Sequence, residues 1–143
     1  MSSIITSLAG QNISLSSETD DREIYHFVLK EYLKQSHPEL VNNTLLIEYN
    51  LLTTSKLPEK VMGYDIKIVN LEKSLFRGGK TELPVLRIIP LRFKEGKFVV
   101  NVIEYAVTCN KNNINLVNIR GKEFQFKYDC STNTLDLLEH KLK

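Results

Sequence analysis

The chain has 143 residues, 42% of them hydrophobic, and 19 lysines and arginines face 17 aspartates and glutamates for a formal charge of +2. That length suits one domain with a real core. The cations are spread without a polybasic block, which argues against a dedicated nucleic-acid or anionic-membrane surface. No apolar run approaches the ~20 residues needed to span a bilayer, so the chain reads as soluble. Met1 to Gly10 is a poor signal peptide, because it lacks a basic start and Thr6 and Ser7 interrupt its apolar run. The expected location is cytoplasmic, although an exported protein that has lost its leader would look the same.

Residues 1–18 are Ser-rich and read as an N-terminal arm, with Asn12 to Leu15 as an edge strand, ahead of a single domain over 19–143. Thr19, Asp20 and Asp21 supply capping groups and negative charge for a helix N-terminus. Ile24, Phe27, Val28 and Tyr32 recur on one helical face, widened by Leu29 and Leu33. The spacing predicts a helix over Asp20 to Gln35, ended by Ser36, His37 and Pro38 because the residue before proline avoids helical backbone. Thr44 to Asn50 reads as a buried strand. Ser55 to Gly63 reads as one or two helical turns, with Pro58 near the start and Gly63 as the breaker. Tyr64 to Val69 reads as another strand, and Glu72 to Glu82 as a loop.

From Leu83 onward, apolar runs alternate with turn-like clusters: Pro84 to Phe93, Phe98 to Cys109, Ile114 to Ile119, Phe124 to Tyr128 and Leu135 to Leu142. Such spacing predicts a meander of consecutive antiparallel strands, with Arg120, Gly121 and Lys122 as one of its turns. Phe98, Val100 and Val102 fall on one side of their strand, and Val99, Ile103, Tyr105 and Val107 on the other. A strand that is apolar on both faces is central and needs two covers. The helix supplies one. Phe124, Phe126 and Tyr128 alternate with Gln125, Lys127 and Asp129, the pattern of a sheet with one wet face. The fold class is therefore α+β, an N-terminal helix packed on a curved antiparallel meander.

That arrangement resembles the cystatin-like, or nuclear transport factor 2-like, α+β roll. Ile24-Tyr25-His26-Phe27-Val28-Leu29, Leu45-Leu46-Ile47, Phe93-Lys94-Glu95-Gly96-Lys97 and Arg120-Gly121-Lys122-Glu123-Phe124 are also similar to motifs of small uncharacterised bacterial proteins, over roughly residues 20–141. Phe124 stands where those proteins carry a Trp. The resemblance implies a fold and no activity.

Catalytic members of that superfamily place an acid, histidine or tyrosine between helix and sheet, which makes Tyr49, Tyr64, Asp65, Glu104 and Tyr105 the candidates for a pocket. Glu104 stands out because it falls in the most apolar strand, on the side of Val100 and Val102. A carboxylate buried there could act as a general base, or pair with a Lys or Arg on the next strand. Asp65, Tyr49 and Tyr105 complete the ligand-binding set. Arg77-Gly78-Gly79-Lys80 has the cations and glycines to hold an anion but not the spacing of a P-loop, so it reads as a solvated loop first. His26, His37 and His140 are too far apart for a metal pair. Cys109 and Cys130 form no Cys-x-x-Cys motif, and free thiols are expected over a disulfide. Phe124 to Tyr128 interleaves rings with lysine as some single-strand-binding sheets do, but alternating core aromatics explain it better.

These features imply no cofactor, no metal, no catalytic residue, no nucleic acid and no membrane. The expected role is a non-enzymatic binding or protein-interaction domain, homodimeric through the outer sheet face that the helix leaves bare. One alternative is an enzyme or ligand-binding protein with a pocket between helix and sheet, taking a small apolar ligand. Another is an immunity or inhibitor-like protein directed at a protein partner.

Overall fold

A computed structural model describes residues 12–14, 21–79, 81–111 and 113–142. The elements are β1 (Asn12–Ser14), α1 (Asp21–Gln35), β2 (Thr44–Glu48), β3 (Lys60–Val61), β4 (Tyr64–Val69), a 3₁₀ turn (Lys73–Phe76), β5 (Glu82–Lys94), β6 (Lys97–Asn110), β7 (Asn113–Asp129) and β8 (Thr134–Leu142). They are one helix and one eight-stranded sheet, ordered β1-β8-β7-β6-β5-β2-β4-β3. The class is α+β, as expected. Most of the arm and the expected helix cap at Thr19 and Asp20 lie outside the described residues, as do Leu15 and Lys80.

The antiparallel meander holds for β5 to β8, each paired with the next. The sheet as a whole is mixed, because β2 lies between β5 and β4 and runs parallel to both. Pairing between strands so far apart in sequence leaves no local mark. The helical turn expected near Ser55 to Gly63 is instead part of a hairpin, with Lys60 and Val61 pairing Asp65 and Tyr64. Met62 and Gly63 both take positive φ, 52° and 83°, the backbone of a two-residue hairpin turn whose twist suits the flanking strands.

Eight strands about 4.8 Å apart make a sheet roughly 34 Å wide, three times the ~10 Å diameter of a helix. One helix can cover such a sheet only if the sheet curls. Accordingly Ile24, Tyr25, Val28, Leu29, Tyr32 and Leu33 pack in one cluster with Val100 and Val102 of the centre, and with Val61 and Leu135 from strands near opposite edges. Pro90 interrupts the β5–β6 ladder, where the register shifts between Ile89 and Arg92. The freed Leu91 N–H donates to the Tyr25 hydroxyl at 3.1 Å, so the helix repairs the break.

The second face of β6 also has its cover. At one end the 3₁₀ turn lays Phe76 over Val107, Leu83, Val85, Leu46 and Val69. At the other, Val99 is 1% exposed amid a polar network. There Arg92 donates to Asn101, Lys97 to Gln125 at 3.4 Å, and Gln125 to Glu123 at 2.8 Å, while Lys94 pairs with Glu123 at 3.6 Å. Of the wet face expected beside Phe124 and Phe126, Gln125 is instead buried at 8% exposed, as is Glu123 before it, whereas Lys127 is exposed and Asp129 half-buried.

One correction bears on the site. Arg120, Gly121 and Lys122 form no turn but the middle of β7, the longest strand at 17 residues. The register shifts between the Glu104 and Tyr105 pairings, leaving Ile119 as the extra residue of a bulge. Gly121 stands there because a Cβ would lie 2.8 Å from the Val102 carbonyl oxygen and 3.3 Å from Ile103. The same length settles the cysteines. Cys109 and Cys130 flank opposite ends of β7, a strand up to about 50 Å long at ~3.3 Å per residue, which keeps them beyond disulfide reach. Both are free.

Candidate functional site

Glu104 is 7% exposed on the helix side of β6, as its alternation with Val100 and Val102 requires. The buried Tyr32 hydroxyl, from the last turns of α1, donates to its Oε2. From the neighbouring strand, directly opposite in register, Arg120 Nε donates to the same oxygen at 2.5 Å and Nη2 lies 3.4 Å from Oε1. Arg120 Nη2 also reaches the His37 carbonyl oxygen at 3.3 Å. One residue further along this face of β7, Lys122 donates to Gln35 Oε1 at 3.0 Å and lies 5.5 Å from the centroid of the Tyr32 ring. The C-terminal end of α1 is thus fastened to the sheet through three charged side chains and one phenol.

Burial, and then the hydrogen bond to Glu104, push the Tyr32 phenol well above the ordinary tyrosine value. The same carboxylate raises Arg120, whereas burial and then the charge of Arg120 lower Lys122. A phenol raised on folding stabilises the native state fully below its unfolded value of about 10, and loses that contribution as pH climbs through its folded value. The lowered Lys122 acts in the opposite sense just below the ordinary lysine value. Denaturant midpoints of wild type and Tyr32→Phe, measured across alkaline pH, are expected to converge as the wild type loses its advantage. A constant gap would show that the phenol proton plays no part.

This geometry stabilises more readily than it catalyses. Both oxygens of Glu104 are engaged, and Tyr32 and Arg120 are its donors. The cleft beside the pair, lined by Glu39, Glu82, Pro84, Glu104, Tyr105, Ala106, Ile119 and Arg120, holds about 90 Å³. Sites for small organic ligands run about 300–1,000 Å³. Of the expected pocket residues, the structure brings Glu104 and Tyr105 to this cleft. Tyr105 turns to the opposite sheet face, where the Arg87 guanidinium lies 4.9 Å from its ring centroid and is bound to Glu48. Asp65 is exposed and faces Lys60 Nζ at 3.4 Å, Tyr64 packs at the rim of the main core, and Tyr49 is 49% exposed. Among the described residues no three His, Cys, Asp or Glu side chains gather where a metal ion could be held, and no helix is long and apolar enough to cross a membrane.

A second feature was hidden from sequence reasoning. β8 pairs with β7 only over Lys122 to Asp129, so residues 113–118 of β7 pair with β6 on one edge and with no described strand on the other. Asn113-Ile114-Asn115-Leu116-Val117-Asn118 carries no charge. Ile114 and Leu116 are half-buried and extend the second core cluster to the rim, and Val117 and Ile119 are 55% and 57% exposed. The cation that closes this stretch, Arg120, is drawn back onto Glu104.

Comparison with protein families, with characterised proteins and with solved structures finds no match to this chain.

Proposed function

We propose that the protein is a non-enzymatic interaction domain that associates with a second copy of itself through the open edge of β7. The observation that carries this is the uncharged run Asn113 to Asn118, which pairs with β6 on one edge and with no described strand on the other. Exposed edges of native sheets are ordinarily blunted by lysine, proline, shortness or a bulge, because their free N–H and C=O groups template another strand. The opposite edge ends in the two-residue β3, and this one has a bulge only at its far end, past Asn118.

A second copy suits the edge better than an unrelated segment. An antiparallel two-fold centred on Asn115 sets Ile114 against the partner's Leu116, Asn113 against the partner's Val117, and Asn115 against its own mate. The first pair continues the second core cluster across the axis, the second covers exposed Val117, and no like charges meet. Cross-strand apolar pairs of this kind stabilise by about 0.2–1 kcal/mol each. The edge alone buries less than a standard interface, so association is weak and depends on concentration. The proposed dimer contact is thus the sheet edge and not the outer sheet face. The outer face first expected to carry it is largely covered by Phe76 at one end and by the Arg92, Asn101, Glu123 and Gln125 network at the other. A single helix enclosed by a curling sheet supports the cystatin-like, or nuclear transport factor 2-like, reading of the architecture.

Light scattering across a concentration series is expected to show the mass rising from the 16.5 kDa of one chain toward twice that. Asn115→Lys, which sets like charges opposite each other on the axis, should hold the protein at one chain with its circular dichroism unchanged. A wild type that stays monomeric, or an Asn115→Lys variant that dimerises equally well, would overturn the proposal.

A further inference from the structure

On the face opposite α1, the 3₁₀ turn and the β6–β7 turn leave between them a cleft of about 540 Å³, lined by Lys73, Ser74, Phe76, Arg77, Cys109 and Lys111. Three of these six residues are cationic and none is acidic. Arg77 and Lys111 make no ion pair among the described residues. The acid nearest in sequence, Glu72, accepts the Ser74 hydroxyl at 3.0 Å and so is turned to that residue. Phe76, 9% exposed, ties the 3₁₀ turn to the core, and the Cys109 thiol donates to the Lys111 carbonyl oxygen at 3.7 Å, a contact within the second turn. Both cation-bearing segments are thus anchored, which limits the ordering that a ligand would require.

We infer that this cleft is a binding site for an organic phosphate of about nucleotide size. The volume falls within the range of small-molecule sites, about 300–1,000 Å³, and is six times that of the cleft at Glu104. Arg77 and Lys111 both line the cleft and no acidic residue does, a setting that favours a multiply charged anion, with Arg77 supplying the planar fork that matches phosphate oxygens. Half-buried Cys109 and the small exposed part of Phe76 supply apolar contact for the organic part, which inorganic phosphate lacks. The cleft lies beside the β7 edge, since Phe76 and Cys109 share the second core cluster with Ile114 and Leu116, so the titration is repeated on Asn115→Lys to separate binding from dimerisation.

Calorimetric titration with ADP, AMP, adenosine and inorganic phosphate at low salt decides the matter. The expected order is ADP above AMP, with inorganic phosphate weaker and adenosine weakest, and affinity falling as salt rises. Arg77→Ala and Lys111→Ala, both at exposed positions, should each weaken ADP by about tenfold. Lys67→Ala, an exposed cation of β4 outside the cleft, serves as the control and should leave it unchanged. Circular dichroism verifies that each variant is folded. No ADP binding at millimolar concentration, inorganic phosphate binding as tightly as AMP, or equal losses in the Lys67→Ala control would overturn the assignment.

Discussion

Replacing Glu104 with alanine is expected to lower the unfolding free energy by about 3 kcal/mol, the low end for removing one partner of a buried charge pair. Two losses combine. The Tyr32 hydroxyl, on a side chain with no exposed surface, is left without its acceptor, and hydrogen bonds to charged groups contribute about 1.5–3 kcal/mol each. Arg120 also loses its partner, but its side chain is 48% exposed and can turn to water, which keeps the total below the cost of stranding a buried cation. Glu104→Gln preserves an oxygen for Tyr32 and should cost less. Because Tyr32, Glu104 and Arg120 share one oxygen, Tyr32→Phe and Arg120→Ala should be non-additive in a double-mutant cycle. Urea unfolding measures all three. A Glu104→Ala variant as stable as wild type would mean that the Glu104 pair adds nothing to the junction between α1 and the sheet.

Gly121→Val is expected to cost about 3 kcal/mol, at the upper end for forcing extra carbon into a packed site. The conflict is with backbone: the new Cβ would sit 2.8 Å from the Val102 carbonyl oxygen, on the strand that carries the middle of the core. No rotamer change relieves that, so β6 and β7 must part beside the Glu104–Arg120 pair. The denaturant midpoint should fall with little change in slope, since the folded and unfolded surfaces are nearly those of wild type. A midpoint within experimental error of wild type would show that the strands have room to part.

The helix was legible because Ile24, Val28, Leu29 and Tyr32 repeat at a period only a helix satisfies. The two-faced character of Val99 to Val107 foretold two covers, and alternation put Glu104 on the side of Val100 and Val102, the side on which α1 packs. Its partner was not found, for an identifiable reason. Arg120-Gly121-Lys122 has turn composition, and reading it as a turn removed Arg120 from the strand in which it faces Glu104. What fixes a glycine there is the approach of Val102, a residue 19 positions away, which local pattern cannot report. Tyr32 likewise reads as an apolar member of its stripe, because nothing in the spacing shows where its hydroxyl ends. Parallel pairing of β2 and the open edge of β7 depend on which strands are neighbours. Asn-Ile-Asn-Leu alternates as any strand does, at the centre of a sheet or at its rim.

Amide hydrogen exchange over residues 113–118, followed at low and high protein concentration, tests the central claim most directly. If two copies pair through this edge, the N–H groups that point away from β6 gain partners as the protein is concentrated. Their exchange should slow, while the doubly paired stretch Phe124 to Asp129 stays equally protected throughout. Exchange over 113–118 that does not change with concentration would contradict the account.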